Sequence, residues 1–228
     1  MAALEVKLSE TKMVSKAKLN VFGTKPKGTI LVPTIPYNLR NDCQVGQWTN
    51  GQENLGDKLA MTIVAKFEWF GKLGSAMHKD WWQIWFVAER EGTNLQNVPF
   101  ETVMVTYIKT ESLGNLNKLV TTMMADGEPA EKVILPTFIK KSTTLDDGKS
   151  ANYWAITWNY RERIANDTKL ESLAAAVQEN TFIDSVGTAK MMPGTYASLV
   201  AAGKIAPVDS TPALTGDNGQ KALPATNS

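Results

Sequence analysis

The chain is poor in the residues that most often do chemistry. Its 228 residues include one cysteine, Cys43, and one histidine, His78, so an intramolecular disulfide and a Cys/His zinc cluster are both excluded. Cysteine this scarce fits a reducing cytoplasm. Charge of one sign is lacking too: 24 Lys and Arg against 23 Asp and Glu leave a formal charge of +1, too little to hold duplex DNA mainly by charge. No long apolar run is present, and Met1 to Lys7 do not lead from a basic segment into an apolar one, so we expect a cytoplasmic protein with no membrane span.

Catalytic signatures are also missing. Gly148-Lys149-Ser150 has the ending of a phosphate-binding P-loop, but Thr143 stands where its first glycine is required, and the segment leads into a strand pattern instead of a helix. His78 lies in a loop flanked by glycines and lysines, and no serine has a nucleophile-elbow pattern around it, so His78 reads as a surface residue. Asp126, Glu128 and Glu131 lack the alternating oxygen-ligand spacing of a calcium loop. We expect no enzyme, no metal and no cofactor.

What the chain does have is a concentration of rings. Seven aromatic residues (Phe67, Trp69, Phe70, Trp81, Trp82, Trp85, Phe86) are interleaved with Lys66, Lys72 and Lys79. Flat aromatic faces beside cations can stack bases or sugar rings. The same pattern builds the core of a β-barrel, and rings on both faces of neighbouring strands cannot all enter one small interior.

Hydrophobic periodicity organises the rest. Residues 29–33 fit a first strand, and residues 38–57 read as a long polar loop with a short strand near Cys43 to Trp48. Met61, Ile63, Ala65, Phe67 and Trp69 alternate on one face of a strand. Residues 81–88 are apolar on both faces except Gln83, and a third strand spans 100–109. The period then lengthens: Leu113, Leu116, Leu119, Val120, Met123 and Met124 predict a helix that ends near Asp126-Gly127. Strands return at 133–139 and 153–160, separated by the turn signal Asp146-Asp147-Gly148. Asp167 caps a second helix over 168–178. The organisation we expect is a basic N-terminal arm over 1–28, one domain over 29–180, and an extended, partly disordered tail over 181–228.

The fold class expected is mainly β with α: an OB-like antiparallel barrel with one helix between strands 3 and 4, a C-terminal helix and flexible termini. Other mixed sheets with one helix give a similar pattern. In strand order, in Trp69, Trp82, Trp85 and Trp154, and in the lysine-bearing hairpin Lys140-Lys141 to Lys149, residues 29–163 resemble the OB-fold single-stranded-DNA-binding proteins of bacteria and their phages. The chain is longer than a minimal OB domain, and its tail lacks the acidic, phenylalanine-terminated tip of the bacterial members.

The candidate stacking residues are Trp69, Trp81, Trp85 and Trp154, with Trp81 and Trp85 sharing one strand face and Trp82 on the other. Candidate phosphate contacts are Lys66, Lys72, Lys140, Lys141, Lys149 and Arg161. Asp146 and Asp147 partly cancel the hairpin charge, so a solvated turn is the plain alternative there. The function expected is non-enzymatic, largely sequence-independent binding of single-stranded nucleic acid by a homo-oligomer, with a possible protein partner for the C-terminal tail. The alternatives are a viral or filament assembly subunit that uses its terminal arms, and carbohydrate or peptide recognition on the same aromatic face.

Overall fold

The structure, a computed structural model, describes residues 28–74, 76, 78–127, 129–144, 148–178 and 191–207. Expectations for the basic arm, for the turn residues 145–147 and for the end of the tail lie outside them. Four short strands come first: β1 (Tyr37–Asn38), β2 (Arg40–Asp42), β3 (Gln47–Asn50) and β4 (Glu53–Gly56). The long ones follow: β5 (Met61–Gly71), β6 (Lys79–Ala88) and β7 (Met104–Lys109), then the helix α1 (Thr110–Ala125), then β8 (Lys132–Thr144) and β9 (Ser150–Glu162). The chain ends with α2 (Leu170–Gln178), β10 (Met191–Pro193) and α3 (Tyr196–Ala201).

The larger sheet follows the path β1-β7-β6-β5-β8-β9, with β10 added to β5. It is a mixed, curled half-barrel, because β1 runs parallel to β7 while the long strands are antiparallel. β5 is shared between two neighbours on one edge: Met61 pairs with Ile134 of β8, and Trp69 to Gly71 pair with β10. A second sheet, β2-β3-β4, lies beside it. Among the described residues no helix is long and apolar enough to cross a membrane.

Trp81 to Ala88 are all buried, which explains why β6 is apolar on both faces: the sheet is covered on both sides. On the inner side Trp82, Ile84, Phe86, Met104, Ile134 and Ile156 pack against Leu116 and Met123 of α1 and Trp48 of β3. On the outer side Trp81, Trp85, Val87, Val105 and Tyr107 pack against Leu173 of α2 and Met191 of β10.

The open side of the curl is closed by side chains and one backbone bond instead of a strand ladder. The Ile156 N–H of β9 donates to Ser112 Oγ at 2.9 Å, and Asn115 Nδ2 donates to the Ile156 carbonyl at 3.1 Å. Next to them, Trp154 N–H donates to the Cys43 carbonyl at 2.7 Å, and Asn41 Nδ2 donates to the Tyr107 carbonyl at 2.7 Å. These bonds satisfy an edge that would otherwise present unpaired backbone groups.

Several expectations are corrected. The first strand expected at 29–33 is a single bridge, Leu31 to Thr102. The expected loop at 38–57 holds β2, β3 and β4, because Trp48 and Leu55 supply enough buried surface to fix it. The helix therefore lies between the seventh and eighth strands counted along the chain. Residues 191–207, read as part of an extended tail, contain β10 and α3. The β5 alternation is also broken by a bulge between Ile63 and Ala65. The extra residue shifts the two-residue period, so Met61 and Ile63 face inward while Ala65 and Trp69 join the outer layer.

Candidate functional site

Three neighbouring strands place a row of polar and aromatic groups across the outer face. Trp69 Nε1 of β5 donates to Gln83 Oε1 of β6 at 3.1 Å, and Gln83 Nε2 donates to the Tyr107 hydroxyl of β7 at 2.8 Å. Trp81 Nε1 donates to the Gly71 carbonyl at 3.1 Å, and Lys109 Nζ stands 5.1 Å from the Trp81 ring centroid. Each ring is held by bonds within the sheet itself.

Exposure sorts the candidate aromatics. Trp81 and Trp85 are 6% and 1% exposed, beneath Leu173 and Met191, with Leu170 alongside. They are not solvent-facing, which corrects the expectation that these two lead a stacking surface. Trp69 is half-buried. The exposed ring on β5 is Phe67, at 43%, which the sequence reading did not select. Trp154 is half-buried and sits against Gly46 at the seam of the curl.

The candidate cations divide in the same way. Lys66 Nζ lies 4.1 Å from the Trp82 ring centroid and 2.7 Å from Glu68 Oε1. Lys141 is 3.3 Å from Glu111, whose other oxygen accepts the Tyr153 hydroxyl at 2.7 Å and so raises the phenol pKa. Lys72, Lys140 and Lys149 are exposed, and neither Lys72 nor Lys140 has an ion-pair partner among the described residues. Arg161 is committed elsewhere: it grips Asp167 through NH1 at 2.5 Å and NH2 at 3.0 Å, and donates to the Glu91 carbonyl. Burial works against ionising Asp167, yet the Arg161 bond, the Ile164 N–H and the charges of both arginines outweigh it and lower its pKa. This guanidinium is a fold clamp, which corrects its reading as a phosphate contact.

The two loops flanking the face come close through a short stretch of chain. Lys109 leans on Trp81, near the start of β6, and two residues later Glu111 holds Lys141 and Tyr153, near the tip of the β8–β9 hairpin. Thr110 between them has φ of 49°, a left-handed conformation that β-branched residues rarely adopt. The loop that carries Lys72 on one side, and the β8–β9 hairpin with Lys140 on β8 and Lys149 after it on the other, thus flank one end of β6 and β7.

The other reactive types have quieter surroundings. His78 is exposed and lies 6.2 Å from the Phe70 ring. Cys43 is half-buried, and burial raises its thiol pKa, away from nucleophilic thiolate. No group of three or more His, Cys, Asp or Glu among the described residues could hold a metal ion. A cavity of about 210 Å³ opens between Ile30, Glu89, Phe100 and Lys169. No family model, curated protein or solved structure matches the chain.

Proposed function

We propose that β5 to β9 with α1 form an OB-like half-barrel that binds single-stranded nucleic acid without catalysis. The observation that carries the reading is the path β7-β6-β5-β8-β9. Counted from β5, the first of five long strands lies in the middle, and the third is joined to the fourth through α1. An OB-fold is such a partly open five-stranded barrel, and it takes oligonucleotides on its second and third strands, between the first and last hairpin loops. In this chain those strands are β6 and β7, bordered by the loop that carries Lys72 on one side and by the β8–β9 hairpin, with Lys140 on β8 and Lys149 beyond it, on the other.

The division of labour follows from exposure. Phe67 and the open edge of Trp69 are placed to stack bases, each contact contributing about 1–3 kcal/mol. Lys72, Lys140 and Lys149 follow the phosphates. With a formal charge of only +1, affinity rests on this local patch, and it falls as salt rises.

The test is tryptophan fluorescence during titration with an oligo-dT of about 30 nucleotides at several salt concentrations. Saturable quenching that weakens with salt is expected. A flat titration with folded protein would overturn the reading. A second reading, an assembly subunit, draws on Leu31 and Ile35, which are 49% and 73% exposed and lie just before the edge strand β1. A concentration-dependent shift in gel filtration that Ile35→Ser abolishes would favour it.

A further inference from the structure

We propose that Phe70, His78 and Tyr196 form a second base-stacking site at the rim of the sheet, where a nucleotide of the bound strand leaves the outer face past Lys72. The inference deepens the function proposed above and rests on that reading.

The first argument is where these rings lie. Trp69 belongs to the outer layer, so Phe70, the next residue of β5, faces the other way; its register partner on β6 is Asp80. The Tyr196 ring stands 5.3 Å from the Phe70 ring, tilted by 47°, and the His78 ring 6.2 Å from it, tilted by 39°. Among the described residues, Phe70 and Tyr196 pack in neither buried layer. Phe70 and Tyr196 are half-buried and His78 is exposed. Rings that build a core are covered by it, whereas these three gather at a surface. Histidine, tyrosine and phenylalanine are all stacking partners for unpaired bases.

The second argument is that the tyrosine is held in place beforehand. β10 pairs with β5 so that Met192 lies beside Phe70 and Pro193 beside Trp69. The Gly194 N–H donates to the Glu68 carbonyl at 2.9 Å, and the Tyr196 N–H donates to Asp80 Oδ1 at 2.7 Å. A backbone fixed in this way lowers the ordering cost of binding.

The third argument is reach and charge. Phe70 is three residues along β5 from Phe67, about 10 Å at about 3.4 Å per residue, so one strand can touch both. Lys72, two residues beyond Phe70, is exposed and supplies a cation for the phosphate that passes the rim. The acidic groups at this end are engaged: Glu68 accepts from Lys66 at 2.7 Å, and Asp80 accepts the Tyr196 N–H. A strand of alternating rings and phosphates matches this order of groups.

His78 is the one histidine of the chain, so its ring Cε1–H gives a single proton magnetic resonance line. With saturating oligo-dA, chosen for the strong ring current of a purine, that line should move upfield. An unmoved line, in a chain whose tryptophan fluorescence the same oligonucleotide quenches, overturns the second site and leaves the binding reading intact. His78→Ala and Tyr196→Leu should each bind about tenfold more weakly. Tyr196→Leu should keep the parent's salt slope, because a stacked ring releases no counterions. His78→Ala, at an exposed position, should melt with the parent, and it carries the affinity readout alone should Tyr196→Leu fail to fold by circular dichroism. Parental affinity in the folded variants overturns the proposal. If the parent itself gives a flat fluorescence titration, the second site falls together with the first.

Discussion

Gly46 and Trp154 meet with no room for another atom: a β-carbon on Gly46 would stand 2.5 Å from Cδ2 of the indole. The contact presses the turn between β2 and β3 onto the free edge of β9, where the Cys43 carbonyl accepts the Trp154 N–H. It is one of the points at which a half-barrel is closed without a strand.

Gly46→Ala tests this closure. The position has φ of +74°, which a residue with a β-carbon rarely adopts, and the added atom collides with a ring that cannot retreat without leaving the seam. Strain and overpacking together should destabilise the fold by about 2–4 kcal/mol. Urea unfolding would show a lower midpoint with an unchanged slope; a loss below about 1 kcal/mol would mean that Trp154 moves freely.

The Arg161–Asp167 clamp predicts an acid limb of the stability curve. The folded pKa of Asp167 is depressed below its ordinary value of 3.8. The stabilisation is therefore complete above that value and is lost as pH falls through the lower folded one. Asp167→Asn should cost about 2–4 kcal/mol at neutral pH, because it leaves Arg161 without its counter-charge, and it should flatten the fall in stability below about pH 4. Melts of both proteins from pH 7 to 3 give the comparison, and parallel acid limbs would remove Asp167 from the account.

Phe67 and Trp85 should separate binding from folding. Phe67→Ala removes a ring that is 43% exposed, so oligo-dT affinity should fall by about 1–3 kcal/mol while the melting curve barely moves. Trp85→Ala empties a site that is 1% exposed and should cost about 3–5 kcal/mol of stability. Equal effects of the two substitutions on stability would contradict the assignment of faces.

Lys72 and the hairpin lysine Lys140 should appear in the salt dependence. Replacing Lys72 and Lys140 together by alanine removes two phosphate contacts and should reduce the slope of log affinity against log salt by about 1.4. Arg161→Lys should lower the melting temperature and leave that slope alone, since the bidentate grip on Asp167 is internal. A salt slope untouched by the double substitution would place the nucleic acid elsewhere.

Much of the strand and helix content was legible in the sequence. The two-residue alternation of β5, the unbroken apolar run of β6, the longer period of α1 and the pairing of β8 with β9 are local patterns, and local patterns survive in a list of residues. The candidate site was less legible. A single extra residue in β5, between Ile63 and Ala65, separates Met61 and Ile63 from the face that carries Ala65, Phe67 and Trp69, and nothing in the local composition marks it; that Phe67 is the more exposed ring of that face depends on packing that the period does not record. Arg161 read as a free cation because its partner lies in a loop whose path depends on Glu89 holding Thr168 across 79 positions.

The sequence by itself determined a mainly β chain with one strongly amphipathic helix, near-zero net charge and its rings gathered at one place, because composition and period are properties of neighbours along the chain. Only the tertiary structure decided which tryptophans are covered, which cations are drawn into ion pairs and how the curled sheet closes. Burial and ion pairing are set by groups that are far apart in sequence and meet only when the sheet bends.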